Sequence, residues 1–248
     1  MNAERIISYF PKKIWRFLGL LRRQIWSKFY KAMSTEQIFS SIYKNKFWGS
    51  DKKNQFNSRQ GTHDHKVLMK YVNSVRDFLG EERAFLTVLD VGCGDFFVGQ
   101  KLYKDFLFYT AIDIVPQLIK FNEENFVNKK LKFVVSDVTQ EKMPSADVIF
   151  IRQVLQHLSN EKIKQLISNL PNKFKYLILT EHLPSKNFIA NKDIITGHET
   201  RLKKTSRVIL HQKPFNFEFL ELHDLCEIST HDGVIKTICY TPKILIPK

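Results

Sequence analysis

The chain has 248 residues, of which 43% are hydrophobic and 26% charged, so it suits one large folded domain and excludes a disordered composition. Three cysteines exclude a dense disulfide framework and indicate a reducing compartment such as the cytoplasm. The formal net charge of +14 favours an anionic partner, which could be a nucleic acid, an anionic membrane or an acidic substrate.

The basic excess is concentrated in the first 33 residues, which hold eight basic residues and one acid. Apolar residues recur there at spacings of three and four, which predicts an amphipathic helix, and we assign residues 1–48 to a basic amphipathic helical extension. Two interpretations stay open: a helix in an anionic membrane surface, or a helix packed on its own domain or on a partner subunit. No cleavable signal peptide or run of 18 apolar residues is visible, so we expect a cytoplasmic protein, peripheral on the inner membrane face if the helix binds lipid.

Residues 49–248 form the predicted main domain, in which strands and helices alternate. A polar loop comes first. Helices are predicted over residues 66–79, 96–106, 115–126 and 159–170, and strands over residues 85–91, 108–114, 131–135, 146–151 and 176–180. Strands such as VIFI and YLIL are apolar throughout, which is typical of strands buried on both faces. This order predicts a parallel sheet covered by helices on both sides.

The last part of the chain follows a different pattern. Residues 184–216 have no clear periodicity, and we expect a long functional loop on the acceptor side of the site. Two strand-like runs, 217–228 and 234–240, flank a His-Asp-Gly hairpin sequence. The predicted fold class is therefore α/β: a Rossmann-like, doubly wound, mostly parallel seven-stranded sheet with a C-terminal antiparallel hairpin, plus the N-terminal amphipathic helix.

The loop after the first predicted strand indicates a nucleotide-type binding site. Gly92-Cys93-Gly94 stands between a strand and a helix, where glycines let the backbone approach a ligand closely. Asp113 ends the next strand, where a carboxylate can accept both ribose hydroxyls of a nucleoside cofactor. Asp137 ends the third strand, where an adenine amino group can be met. Asp90, just before the loop, is expected to hold the loop by hydrogen bonds and thereby to orient the cofactor.

Two observations count against NAD as that cofactor. The dinucleotide fingerprint has a third glycine where this chain has Phe97, and the bulky Phe96 and Phe97 crowd the helix start that a pyrophosphate needs. S-adenosylmethionine carries a ribose and an adenine but no phosphate, so it tolerates such a loop.

Over about residues 60–240, the sequence resembles the class I S-adenosylmethionine-dependent methyltransferases. VLDVGCGDF, AIDI and VVSDV are similar to their first three motifs, and IRQVLQHLSN to their fourth strand and the segment after it. Segments such as FNSRQGTHDH, LTEHLP, NKDIITG and GVIKT resemble a bacterial group of small methyltransferases of surface-polysaccharide and glycan pathways. The basic extension departs from that pattern, as does Arg59-Gln60-Gly61-Thr62, where a more glycine-rich loop is usual.

The resemblance implies in-line transfer of a methyl group from S-adenosylmethionine (EC 2.1.1.-), most simply to a hydroxyl of a sugar or glycan precursor of capsule or lipopolysaccharide. The implied cofactor-binding residues are Asp90, Gly92, Cys93, Gly94, Asp113, Ile114, Asp137, Val138 and Arg152. Arg152 could instead clamp a phosphate or carboxylate of the acceptor.

A hydroxyl acceptor needs a base, and His157, after the fourth strand, is the first candidate because ligands bind at the carboxyl ends of such strands. The alternative is a helix-start histidine that packs against the cofactor loop. Glu181 and His182 follow the fifth strand and are further catalytic candidates, to orient the acceptor or to act with His157. Gln153 and His63 are predicted to bind the acceptor, His63 from a segment that often covers the cofactor in this fold. No metal site is predicted, because the sequence does not offer enough ligands.

Two other functions stay open. The charge of +14 permits an RNA methyltransferase, which would bind RNA with a steep salt dependence, although no recognisable RNA-binding module is present. A catalytically inactive, cofactor-binding partner subunit that docks through residues 1–33 is the other alternative. We expect a small-molecule or glycan acceptor as the main partner.

Overall fold

In the computed structural model of the protein, the described residues are 29–30, 32–49, 56, 64–185 and 187–243. The chain divides into two compact units, residues 1–34 and 35–248. Almost all of the predicted basic amphipathic helix lies outside the described residues, as does His63. The larger unit begins at the helix that starts at Thr35, earlier than the division at residues 48 and 49 that we drew from the sequence.

The larger unit contains one seven-stranded sheet flanked by helices. The helices are α1 (Thr35–Lys44), α2 (His65–Leu79), α3 (Gly99–Leu102), α4 (Pro116–Asn125) and α5 (Asn160–Ser168), with 3-10 turns at Gly80–Phe85, Tyr103–Asp105, Leu155–His157 and Arg201–Lys204. The strands are β1 (Thr87–Val91), β2 (Phe108–Asp113), β3 (Leu131–Val135), β4 (Val148–Arg152), β5 (Tyr176–Leu183), β6 (Ile189–Ala190), β7 (Ser206–Arg207), β8 (Glu221–Ser229) and β9 (Val234–Thr241).

The strand order in the large sheet is β3-β2-β1-β4-β5-β9-β8. The first five of these strands are parallel, and β9 runs antiparallel to both β5 and β8. The order reverses at β1, which places a crevice at the carboxyl ends of β1 and its neighbours. The predicted fold class is confirmed, including the C-terminal antiparallel hairpin.

The central strands β1, β4 and β5 are buried on both faces, as their apolar sequences predict. In β4, Val148 and Phe150 belong to one core cluster, whereas Ile149 and Ile151 belong to the other. All four side chains are at most 1% exposed. Because successive side chains of a strand point to opposite faces, a strand in this position must be apolar at every residue.

Helix α2 shows how local sequence sets the element boundaries. The Asp64 carboxylate accepts hydrogen bonds from the N–H groups of Lys66 and Val67 at 2.9 and 3.2 Å, which caps the first turn. Gly80 ends the helix with a φ of 54°, a left-handed conformation that glycine adopts without a steric penalty. The predicted helix over residues 66–79 is therefore confirmed.

Three elements differ from the sequence prediction by more than two residues, and one of them is β8, which begins at Glu221 rather than at residue 217. The helix predicted over residues 96–106 is reduced to α3 and a 3-10 turn, since Phe96 adopts a φ of 59° and so cannot begin a helix. Strand β5 continues to Leu183, three residues beyond the predicted end, because it stays paired with β9 as far as that residue.

Residues 184–216 are less irregular than the sequence suggests. Strands β6 and β7 form a separate parallel pair. The Asn191 side chain donates to the carbonyls of Ile209 and Lys213 at 2.8 and 2.9 Å. Arg201 is fully buried and donates to the Leu158 carbonyl at 2.7 Å, which ties this region to the end of the parallel sheet.

Within the described residues, no helix combines the length and hydropathy needed to cross a bilayer.

Candidate active site

An open cavity lies at the carboxyl ends of β1, β2 and β4. Its empty volume, with the open mouth included, is about 1160 Å³. The predicted site residues that line it are Asp90, Gly92, Cys93, Gly94, Asp113, Ile114, Asp137, Val138, Arg152, Gln153 and His157. The structure thus brings the three strand-end motifs and His157 together around one space.

The glycine loop is shaped by tight contacts below it. Gly92 and Gly94 have φ angles of 70° and 57°, which side-chain-bearing residues rarely adopt. A Cβ atom at Gly92 would lie 2.5 Å from the Val154 side chain. Phe96 is fully buried in the core, where its ring packs edge-on against Phe133 at 4.9 Å between centroids. The bulky Phe96 side chain therefore supports the loop from beneath.

Asp113 joins the end of β2 to the glycine loop. Its carboxylate accepts hydrogen bonds from the N–H groups of Gly94 and Val115, both at 3.1 Å. Burial raises the pKa of Asp113 to about 6, although the backbone hydrogen bonds act in the opposite direction. The acid predicted for the cofactor ribose is thus held against the loop within the cavity.

Two further acids are fixed near the same loop. The Asp90 carboxylate accepts a hydrogen bond from the Tyr109 hydroxyl at 2.9 Å, and burial raises its pKa to about 6. One oxygen of Asp137 accepts from the N–H and hydroxyl of Thr139 at 2.9 and 2.6 Å, which closes a local turn after β3. Both carboxylates are therefore oriented by neighbours before any ligand binds.

His157 is held in one ring orientation. It lies in the 3-10 turn after β4, is 5% exposed, and lines the cavity. Its Nδ1 atom lies 3.2 Å from the Gly197 carbonyl oxygen and 3.1 Å from that of Glu199. Carbonyl oxygens only accept, so Nδ1 carries the hydrogen and the neutral ring has its lone pair on Nε2. This is the tautomer that a base acting through Nε2 requires.

Glu181 does not line the cavity. Its two carboxylate oxygens accept the N–H groups of Leu155 and Gln156 at 3.0 and 2.9 Å, from behind the turn that carries His157. The side chain is buried, and this burial raises its pKa to about 8. Because β5 runs to Leu183, Glu181 lies inside a strand rather than in a loop at its end.

His182 is also outside the cavity lining. Its Nε2 atom lies 3.0 Å from the Thr230 hydroxyl and 3.3 Å from an Asp232 carboxylate oxygen, in the hairpin between β8 and β9. The prediction placed Glu181 and His182 together at the site, but neighbouring residues of a strand face opposite ways. Neither Glu181 nor His182 lines the cavity with His157.

Several cavity residues were missed in the sequence. Thr35, Phe39 and Tyr43 of α1 line the cavity, as does Trp48. The Trp48 ring lies 5.0 Å from the His157 ring, and its indole N–H donates to the His198 carbonyl at 3.3 Å. The aromatic residues at 39 and 43 stand four apart, on one face of a helix, which was the available signal.

Arg152 and Gln153 end β4 at the cavity. Gln153 has a φ of 56°, and its N–H donates to the Thr180 carbonyl at 2.7 Å, so the chain turns sharply there. The Arg152 guanidinium lies over the Tyr71 ring, 5.2 Å from its centroid. The Arg152 side chain is therefore directed toward α2, the helix that contains Tyr71. The sequence did not place α2 at the site.

Residues 88–175 match the family model described as a methyltransferase domain. These findings support a class I S-adenosylmethionine-dependent methyltransferase. The match covers β1 to β4 and therefore the strands that carry Asp90, Asp113 and the glycine loop.

Curated relatives act on different acceptors. Over 205 residues the chain is 26% identical to malonyl-[acyl-carrier protein] O-methyltransferase of Bacillus cereus. The aligned region covers 75% of this chain and 71% of that protein. Over 90 residues it is 30% identical to phosphoethanolamine N-methyltransferase 1 of Triticum aestivum, covering 34% of this chain and only 18% of that protein. Likeness to these proteins thus supports the reaction class and leaves the acceptor open.

The fold is also that of a solved methyltransferase. Magnesium protoporphyrin IX methyltransferase of Synechocystis, a structure with bound S-adenosylmethionine, superposes with a TM-score of 0.51 at 16% identity. The match covers 85% of this chain and 98% of that one. At this identity the likeness concerns the fold alone.

The cavity residues fit S-adenosylmethionine. The left-handed glycines leave no side chain between the backbone and a ligand, and the Asp113 carboxylate stands at the end of β2, where ribose hydroxyls can donate to it. Asp137 stands at the corresponding position after β3, near the expected adenine. Phe96 does not line the cavity, because its side chain is buried in the core, and it therefore does not obstruct the glycine loop.

Proposed function

We propose that this protein is an S-adenosylmethionine-dependent O-methyltransferase that uses His157 as a general base toward a hydroxyl group of a sugar or glycan precursor. The observation that carries this proposal is the tautomer of His157, set by two carbonyl oxygens, on the wall of the cavity. An amine or a carboxylate acceptor can react without a fixed base, whereas a hydroxyl must lose its proton as it reacts. The glycan class of the acceptor is supported by the sequence resemblance.

When bound, S-adenosylmethionine supplies an electrophilic methyl group on a sulfonium sulfur. Asp113 would accept the ribose hydroxyls, and Asp137 the adenine amino group, because each carboxylate is already oriented by its own turn. Nε2 of His157 would take the hydroxyl proton, and its Nδ1–H bonds to the Gly197 and Glu199 carbonyls would stabilise the imidazolium. The rings of Tyr43 and Trp48 would limit the access of water from the α1 side.

The test pairs His157→Gln with the control His231→Gln, whose side chain is 91% exposed. Purified proteins are offered S-adenosylmethionine and a panel of sugar nucleotides and lipid-linked sugars, and S-adenosylhomocysteine formation is measured. Loss of the base should lower kcat by about 10²–10⁴-fold and leave cofactor affinity within about threefold, because general-base catalysis contributes about that much. The control should match the wild type.

Two results would contradict the proposal. Turnover of a hydroxyl acceptor by His157→Gln at the wild-type rate would show that His157 is not the general base. Methylation of RNA, with binding that falls steeply with salt, and no turnover of any sugar would favour the RNA alternative.

A further inference from the structure

Arg201 is a fully buried cation that does not line the cavity. It begins the 3-10 turn at Arg201–Lys204, and its guanidinium donates to acceptors on two segments of the chain. Nη2 donates to the Leu158 carbonyl at 2.7 Å and to Oδ1 of Asn160 at 2.8 Å, and Nη1 donates to the Lys192 carbonyl. Burial of a charge is costly, so an apolar side chain of similar volume would be more favourable if Arg201 only filled space.

The acceptors of Arg201 adjoin the residue that the proposed mechanism uses as its base. Leu158 directly follows His157, and Arg201 stands two residues after Glu199. The Glu199 carbonyl oxygen is one of the two that accept from His157 Nδ1, at 3.1 Å. The guanidinium therefore joins the segment that carries the base to the segment that carries its acceptors, across 43 residues of sequence.

The segment that carries these acceptors is held at both ends. At its start, the Thr196 hydroxyl accepts the Ser159 N–H at 3.0 Å. Gly197 then makes a two-way contact with His157: its N–H donates to the His157 carbonyl at 3.0 Å, and its carbonyl oxygen lies 3.2 Å from Nδ1. Arg201 holds the other end. The two carbonyls that orient the ring thus lie between the Thr196 contact and the Arg201 contact.

The backbone of the His157 turn has a separate support. Glu181 accepts the N–H groups of Leu155 and Gln156 at 3.0 and 2.9 Å, from strand β5. Burial lowers the pKa of Arg201, and Glu181 opposes this shift electrostatically. Because the Glu181 hydrogen bonds hold the turn without the guanidinium, loss of Arg201 should release the acceptor segment more than the turn itself.

We propose that Arg201 is a positioning residue that fixes the tautomer of His157 by holding the Gly197 and Glu199 carbonyls against Nδ1. This inference rests on the proposed function, in which Nε2 must carry the lone pair, and it assigns the origin of that tautomer. Since Arg201 does not line the cavity, it acts through His157 and not on the acceptor.

The first experiment reads the tautomer directly and needs no acceptor. Two-bond proton–nitrogen correlation NMR is recorded on protein with nitrogen-15-labelled histidine at about pH 8.5, well above the ordinary histidine pKa of about 6.5. The His157 signals are identified by their absence from His157→Gln. In the wild type, Nδ1 should be protonated and Nε2 unprotonated. In Arg201→Met, which lacks the donors, both nitrogens should move toward the averaged shifts of two exchanging tautomers.

Turnover gives a second readout. With a hydroxyl acceptor that the wild type methylates, kcat of Arg201→Met should fall roughly 3- to 30-fold, less than the about 10²–10⁴-fold expected without the base. KM should stay within about threefold, because the residues that line the cavity are unchanged. Arg201→Lys keeps the charge and loses the planar fork, so it should lie between Arg201→Met and the wild type in both tautomer and kcat.

The matched control is Arg207→Met. Arg207 is also an arginine that is not fully exposed, but it belongs to β7, and its guanidinium lies over the Phe188 ring, 3.9 Å from the centroid. This variant should keep the wild-type tautomer and the wild-type kcat. If Arg201→Met fails to melt cooperatively, Arg201→Lys carries the test.

The outcomes separate the two proposals. An Nδ1–H tautomer as fully populated as in the wild type, in Arg201→Met or in Arg201→Lys where that variant carries the test, overturns this inference alone. A fall in kcat without a change of tautomer also overturns it, because Arg201 would then act only through stability. A wild type whose neutral His157 is protonated at Nε2 overturns the proposed function and, with it, the role of Arg201.

Discussion

The two sides of the cavity are built in different ways. On the glycine-loop side, the fixing contacts are short in sequence: Gly94 donates to Asp113 across 19 residues, and Thr139 to Asp137 across two. On the His157 side, the ring is fixed by carbonyls 40 and 42 residues away, and Trp48 reaches the same segment across 150 residues. The glycine-loop side is fixed by hydrogen bonds between residues that are closer in the sequence. The His157 side depends on contacts between residues that only the folded chain brings together.

This contrast predicts that variants on the two sides fail differently. A change on the glycine-loop side should remove ligand binding and leave the fold intact. A change on the His157 side should lower the free energy of unfolding and increase local opening, because its contacts join distant parts of the chain.

The largest effect is expected from Asp113→Asn. The substitution keeps the size of the side chain but removes the charge that would accept the ribose hydroxyls, and hydrogen bonds to a charged group contribute about 1.5–3 kcal/mol. Affinity for S-adenosylhomocysteine should fall on the order of 100-fold in calorimetry. The melting temperature should fall as well, because the amide keeps only one of the two oxygens that accept the N–H groups of Gly94 and Val115.

Asp224→Asn is the matched control, because Asp224 is an exposed carboxylate on β8 that pairs with Lys236 at 3.0 Å. It should bind the ligand as the wild type does. Equal affinity of Asp113→Asn and the wild type would mean that the ribose is held elsewhere and that the glycine-loop side has been misinterpreted.

The next effect is a pH dependence of stability from Glu181. Its folded pKa, about 8, lies above the ordinary value of 4.5, so protonation favours the folded state. This contribution is fully present below pH 4.5 and is lost as the pH rises toward 8. Urea unfolding at pH 5.5 and 8 should therefore show the wild type losing roughly 2 kcal/mol more than Glu181→Gln over this range.

The difference between the two proteins isolates Glu181, because the raised pKa values of Asp90 and Asp113 are common to both. Glu221→Gln, an exposed glutamate on β8, should keep the wild-type pH dependence. Parallel pH profiles for the wild type and Glu181→Gln would show that the buried carboxylate does not couple proton binding to the His157 turn.

The division also explains what could be predicted from the sequence. The strands were recognisable because burial on both faces requires continuous apolar runs, as in β4. Asp113 and Asp137 were recognisable because Asp113 ends β2 and Asp137 follows the end of β3 by two residues. Their positions need no knowledge of distant contacts.

The His157 side could be predicted only in part. His157 itself follows a strand, so its place was predictable, but its tautomer depends on Gly197 and Glu199. Glu181 was assigned to the site because β5 was expected to end at residue 180, and its pairing with β9 extends it to Leu183. Trp48 was not predicted at all, because only the folded chain places it beside His157.

The smallest effect is expected from Trp48→Phe, which removes one hydrogen bond and keeps an aromatic ring beside His157. The lost bond is the indole N–H to the His198 carbonyl, 3.3 Å long and therefore worth about 1 kcal/mol at most. Gly197 donates its N–H to the His157 carbonyl at 3.0 Å, so exchange of the Gly197 amide hydrogen reports on this contact. In native-state hydrogen exchange that amide should exchange up to about fivefold faster in the variant, whereas the Gly94 amide, bonded to Asp113, should keep its rate. Faster exchange of both amides would mean that the two sides open together, and the division between them would then be wrong.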